Sequence, residues 1–199
     1  MSKQVEFKDF LMEKFSNAQE IIQTENREVF YITDYKDQAY IVFEYDELDS
    51  TIYFQENDRI VKIENVSEDN LFKVINNKQT VFIPIDGKKG LLQDGNSKCD
   101  FIIFDDTTIC FVEIKLNATS DAERAIRKRR KEALDQIINT IYAFDAKLNK
   151  DYKGLALEGY VCTPKIYPRQ NAAWESLAVE FLEEHGIPVY ETNIKIFQS

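Results

Sequence analysis

The sequence predicts a mixed α/β fold (α+β, with a mixed sheet), and three observations point to it. Two apolar runs, Phe101-Ile102-Ile103-Phe104 and Ile109-Cys110-Phe111-Val112, flank the polar turn Asp105-Asp106-Thr107-Thr108, which is a hairpin signature. A long helical pattern over 121–144 follows directly. A strand pattern at 157–162, a helical pattern at 172–184 and a last strand within 189–197 then alternate along the chain.

The elements follow in order. Phe7, Phe10, Leu11, Phe15, Ala18, Ile21 and Ile22 keep a helical spacing, so 5–23 reads as one amphipathic helix. Strands are expected at 39–45, 51–55 and 59–63, separated by polar turns with Asp46, Asp49, Asn57 and Asp58, as in an antiparallel meander. Residues 67–76 read as a short helix with Ser67 as N-cap. A strand over 80–85 ends at Asp86-Gly87, and Gly90 and Asp94-Gly95 mark turns before the hairpin. The long helix buries a stripe of Ala122, Ala125, Ile126, Ala133, Ile137, Ile141 and Phe144, with Ser120 as N-cap and Glu123 as capping-box acid. Pro164 stops the strand at 157–162. His185-Gly186 closes the last helix with a cation and a left-handed glycine, so the only histidine reads as a cap rather than a catalyst. Repeats and low-complexity tracts are absent from the sequence. The expected division is a helix and β-meander extension over 1–66, packed on a core over 67–199.

Composition narrows the class. The 199 residues are 44% apolar and 30% charged, as in an ordinary soluble domain. No run approaches the ~18 apolar residues of a membrane span. Met1-Ser2-Lys3-Gln4-Val5-Glu6 has no apolar signal-peptide core, so export is not expected. Cys99, Cys110 and Cys162 are an odd number, all in expected strands, and read as buried reduced thiols. A cytoplasmic protein is the resulting expectation. The net charge of −10 argues against generic tight binding to nucleic acid. Against it stands one basic block, Arg124, Arg127, Lys128, Arg129, Arg130 and Lys131. It is either a solvated helix face or a phosphate-binding one. Arg124, Arg127, Lys128 and Lys131 share a face at spacings of three and four, and that face is the expected nucleic-acid contact.

The hairpin carries the chemistry. With Phe104 paired to Ile109, counting back along the ladder sets Asp100 opposite Glu113. Lys115 shares the face of Glu113 because side chains alternate with period two. Opposed like charges are destabilising, and a divalent cation would offset them. Acid-x-Lys tripeptides occur six times, so the tripeptide alone is weak. Glu113-Ile114-Lys115 stands out because it ends an apolar strand opposite another acid. The others, Asp34-Tyr35-Lys36 and Asp86-Gly87-Lys88 among them, read as solvated. A structural ion triad at a sheet edge is the plain alternative.

Asp100 on one strand, Glu113-Ile114-Lys115 on the next and a long helix after them resemble the PD-(D/E)xK nuclease superfamily, the restriction-endonuclease-like fold. The likeness covers about 80–197, with strand, helix and strand following as in that family's αβββαβ core. Cys99 stands where the pattern has proline. The resemblance implies a Mg²⁺-dependent nuclease, Mn²⁺ substituting, that hydrolyses phosphodiester bonds in DNA or RNA. It implies that Asp100, Glu113 and the Ile114 carbonyl hold the metal, and that Lys115 orients or activates water. Gln136 on the following helix is a further catalytic candidate or a surface glutamine, and Glu68 is a candidate for an added acid. A catalytically inactive nuclease-fold module that binds nucleic acid or a protein partner is the alternative. A DNA-mimicking inhibitor is a third reading, which the lysine does not suit. A homodimer is compatible with the sequence.

Overall fold

Burial on both faces of one sheet organises the chain. The computed structural model describes residues 2–93, 95–168 and 171–197, so Asp94 lies outside the described residues. Among them it forms four α-helices and two six-stranded mixed sheets, a mixed α/β architecture.

Helix α1 (Lys3–Lys14) is capped by Ser2 and buries Phe7 and Leu11. The expected single helix over 5–23 breaks here, because Phe15 turns extended. Asn17 then donates to the Gly90 carbonyl at 3.1 Å, and α2 (Ala18–Ile21) is one short turn. Strand β1 (Gln23–Glu25) follows. Four antiparallel strands come next: β2 (Val29–Asp34), β3 (Ala39–Asp46), β4 (Thr51–Glu56) and β5 (Arg59–Ile63). The last three match the expected meander, whereas β2 was not expected. Its period-two contrast is masked: Phe30 and Ile32 pack towards the first sheet while Tyr31 packs into a cluster on the other face.

The expected helix over 67–76 is a 3-10 turn (Glu68–Asn70) followed by β6 (Phe72–Ile75). Ser67 does cap that turn, accepting from the Asp69 N–H at 3.3 Å. Pairing with β2 then overrides the local pattern, and Phe72 and Val74 alternate into the core. Next are β7 (Thr80–Pro84), β8 (Phe101–Phe104), β9 (Thr108–Ile114) and α3 (Glu123–Leu148). Helix α3 begins at Ala122 without a side-chain cap, so the Ser120–Glu123 capping box does not form. The chain ends with β10 (Ala156–Cys162), α4 (Ala172–His185), β11 (Val189–Glu191) and β12 (Ile194–Ile196).

The first sheet runs β1-β7-β8-β9-β10-β11 and the second β12-β6-β2-β3-β4-β5. In the first, β7, β8 and β9 are antiparallel neighbours, and β10 lies parallel to β9. Helices α1, α3 and α4 cover one of its faces through Phe7, Leu11, Ile137, Phe144 and Leu177. The second sheet covers the other face, with Phe30, Ile32, Phe72 and Val74 against Phe101, Cys110 and Val112. Both faces being buried explains why β8 reads as an unbroken apolar run. The two sheets interleave along the chain across residue 66: α1 packs under the first sheet, and β6 and β12 complete the second. All three cysteines are buried, as reduced thiols. His185 ends α4 and Gly186 closes it in the left-handed region. Among the described residues, no helix is long and apolar enough to cross a membrane.

Candidate active site

The β8–β9 register pairs Phe104 with Ile109 and Phe101 with Val112. One step beyond β8 the Asp100 N–H donates to the Val112 carbonyl at 3.0 Å, one residue out of the Phe101–Val112 register, so the ladder does not continue to the Asp100–Glu113 pair the sequence predicts, although the Glu113 charge still acts on Asp100. Asp100 Oδ2 accepts from the Ile114 N–H at 2.5 Å. Lys115 continues β9 along β10, its N–H donating to the Cys162 carbonyl at 2.7 Å. Its ammonium donates to Glu113 Oε1 and, at 2.7 Å, to Gln136 Oε1.

Helix α3 supplies the second side. Gln136 Nε2 donates to the Lys98 carbonyl at 2.9 Å, and the Cys99 N–H donates to Thr140 Oγ1 at 2.9 Å. Two side chains one helical turn apart therefore hold α3 against the two residues that precede Asp100. Gln136 is thus a buttress of Lys115 rather than a surface residue.

Electrostatic crowding marks the site. Glu113 is 1% exposed, and its Oε2 is buried without a hydrogen-bond partner. Burial pushes its carboxyl up to about 7, helped by the charges of Asp34 and Asp86 and opposed by Lys115. Burial raises Asp100 well above the usual carboxylate range, and the Glu113 and Asp34 charges add to the shift. Asp34 is raised to about 6, first by burial and then by Asp37, and its Oδ1 is likewise buried and unpartnered.

Asp34 is the residue the sequence reading misses. It ends β2, on the second sheet, and was grouped with the solvated tripeptides. The available signal is its place at the end of the Phe30, Ile32 row, which carries it inward. Glu68 does not fill this role: it is bound to Tyr31 and Lys73 instead.

The basic block divides. Arg124, Arg127, Lys128 and Lys131 are exposed, but Arg127 and Lys131 line a groove between α3 and α4 with Leu177, Glu180 and Phe181. Residues 127 and 136 are about two and a half turns apart, so Arg127 points away from the Gln136 side. Arg129, about two turns from Gln136, shares its side and is half-buried. Arg130 is buried and paired with Glu191.

A hard divalent cation fits Asp100 and Glu113, because it would relieve their repulsion and occupy the unpartnered Glu113 oxygen. Among the described residues, no three acidic, histidine or cysteine side chains form a complete cage. Such an ion would complete its shell with the Ile114 carbonyl, water and substrate oxygens, a pattern common for Mg²⁺. Compared with protein-family models, curated proteins and solved structures, the chain shows no match.

Proposed function

We propose that the protein is a Mg²⁺-dependent nuclease that hydrolyses phosphodiester bonds in DNA or RNA, a member of the PD-(D/E)xK kind. The carrying observation is the convergence of Asp100, Glu113, Lys115 and Gln136, with a buried Glu113 oxygen that has no partner. Asp100, Glu113 and the Ile114 carbonyl would hold Mg²⁺, and Mn²⁺ would substitute. When bound, the cation supplies Lewis acidity at the phosphoryl oxygen and a more acidic bound water. Lys115 orients that water and offsets charge developing on the phosphate. Gln136 keeps the ammonium aimed, since its other end is tied to the Lys98 carbonyl. Arg129, on the Gln136 side of α3, is better placed to meet phosphates than Arg127 and Lys131.

The test is cleavage of single-stranded, double-stranded and branched DNA and RNA in Mg²⁺ or Mn²⁺, with a chelator control. Asp100→Asn should weaken Mn²⁺ binding by calorimetry and abolish cleavage. Lys115→Ala should keep Mn²⁺ binding and lose about 10²–10³-fold in rate, the cost of removing one transition-state donor. Mn²⁺ binding with no cleavage of any substrate would replace this reading with that of an inactive, nucleic-acid- or protein-binding module. Absence of Mn²⁺ binding would remove the metal site itself.

A further inference from the structure

The second sheet reaches the acidic site through one hairpin turn. Tyr35 and Gln38 exchange backbone hydrogen bonds at 2.9 and 3.2 Å, and Asp34 pairs with Ala39 one step further back. The two turn residues, Lys36 and Asp37, both sit in the left-handed region at φ 52° and 61°. Hairpin turns of this kind favour Asn-Gly, because a Cβ is disfavoured there. The turn's own residues therefore do not select this conformation, and contacts outside the turn hold it.

Gln38 supplies those contacts. Its side chain is buried, its Nε2 donates to the Asp86 carbonyl at 3.3 Å, and its Oε1 accepts from the Lys89 N–H at 2.9 Å. Asp86 belongs to the turn after β7, where the Ile85 and Asp86 N–H groups donate to the Asp100 carbonyl at 2.8 and 3.4 Å. Hydrogen bonds thus run from the β2–β3 turn through Gln38 to the backbone of Asp100. The fit is close: a Cβ at Gly87, φ 89°, would come within 2.4 Å of the Asp37 carbonyl oxygen and 2.7 Å of Gln38 Oε1. What this clamp delivers is Asp34. Its Oδ1 is buried without a partner, and its charge acts on Asp100 and Glu113, adding to the effect of burial on both. Among the described residues it completes no cage with them, so its part is charge rather than direct ligation.

We propose that Gln38 is a positioning residue for the cation site: by locking the β2–β3 turn onto the turn after β7, it holds Asp34 against Asp100 and Glu113. The inference rests on the cation site of the nuclease reading and adds a part from the second sheet to it. Neither Gln38 nor Asp34 lies in the stretch 80–197 that carries the nuclease resemblance. A carboxylate that does not ligate still attracts a divalent ion, and more strongly in a partly buried setting than in water. Without the lock, a turn of two disfavoured residues loses its hold, and the third negative charge leaves the site with it.

Calorimetry with Mn²⁺ on the whole chain tests this in the wild type, Gln38→Met, Asp34→Asn and the double variant. Gln38→Met keeps the length of the side chain and removes both hydrogen bonds. Each single variant should weaken Mn²⁺ binding about tenfold, and the double variant no more than Asp34→Asn alone, because both act through one carboxylate. Melting temperatures in chelator identify a role in folding alone, which would lower them and leave the Mn²⁺ affinity of the folded protein unchanged. That outcome overturns the proposal. So does a double variant whose losses add, since Gln38 would then act other than through Asp34. If Gln38→Met does not fold, Gly87→Ala, which drives the two turns apart from the other side, takes its place with the same expected outcomes. Absence of Mn²⁺ binding by the wild type removes the cation site and this proposal with it. Wild-type binding that Gln38→Met leaves intact refutes the proposal alone.

Discussion

Two buried acid–base pairs flank α3 and differ in how completely they are satisfied. Glu191 accepts from Arg130 Nε at 2.8 Å, from Arg130 Nη2 at 2.7 Å and from Thr163 Oγ1 at 3.0 Å. Arg130 also donates to the Pro168 carbonyl and to Asn171, and its guanidinium lies over the Trp174 ring at 5.8 Å. Glu113, by contrast, engages Lys115 with one oxygen and leaves the other buried and alone. A closed network fixes α3 to β11 and to the segment before α4. An open one keeps two or three carboxylates under mutual repulsion, a state that a cation relaxes. The comparison separates a fully satisfied ion pair from one that leaves a buried carboxylate oxygen without a partner, the pair to which the proposed function assigns a cation.

Breaking the closed pair should have the larger effect on folding. Arg130→Met leaves Glu191 buried with little compensation and should cost roughly 3–5 kcal/mol. Urea unfolding measures this, and a loss below about 1 kcal/mol would place Arg130 outside the structural frame.

The open pair should make stability depend on pH. In metal-free protein the Glu113 carboxyl titrates near 7, above its ordinary 4.5. The folded state therefore holds the proton more tightly than the unfolded state. That contribution is full below about pH 4.5 and declines as pH rises, until it is lost above about 7. Its size is up to about 3 kcal/mol at ~1.36 kcal/mol per pKa unit. Urea unfolding in chelator at about pH 5 and about pH 8, wild type against Glu113→Gln, isolates it. The variant should gain on the wild type at the higher pH, and a difference that does not move with pH counts against the crowded carboxylate.

The smallest effect sharpens the comparison at the join between helix and site. Gln136→Ala frees the Lys115 ammonium from α3 and should slow single-turnover cleavage about tenfold, ~1.4 kcal/mol. Calorimetry should find Mn²⁺ affinity unchanged. A matching fall in metal affinity would make Gln136 part of the metal site instead.

What the sequence discloses follows how local each feature is. The hairpin register from Phe104–Ile109 to Phe101–Val112 is legible because a four-residue turn sets it, but the irregularity at Asp100, whose N–H bonds the Val112 carbonyl, is not. Of the expected stripe, Ile126, Ala133, Ile137, Ile141 and Phe144 are buried, whereas Ala122 is exposed as the helix N-cap and Ala125 is half-buried, because the first turn of α3 lies beyond the sheet's cover. Asp34 is not legible, since its place beside Glu113 depends on how the second sheet packs on the first. The strand at Phe72–Ile75 is hidden for a related reason, as its partner β2 lies some forty residues earlier. The basic block shows charge but not direction: Arg130 turns inward only because Glu191 arrives from β11.

The segment from Val189 to Ile196 lends β11 to the first sheet and, two residues later, β12 to the second. Ile194–Ile196 pairs with Lys73–Ile75 across about 120 residues of chain, so neither sheet reaches its full width until a distant stretch arrives. Contacts of such long sequence separation slow folding, since loop closure comes before any reward. The second sheet should thus mature late and together with the first. Amides of β6 and β10 should then exchange with solvent in one cooperative opening rather than two.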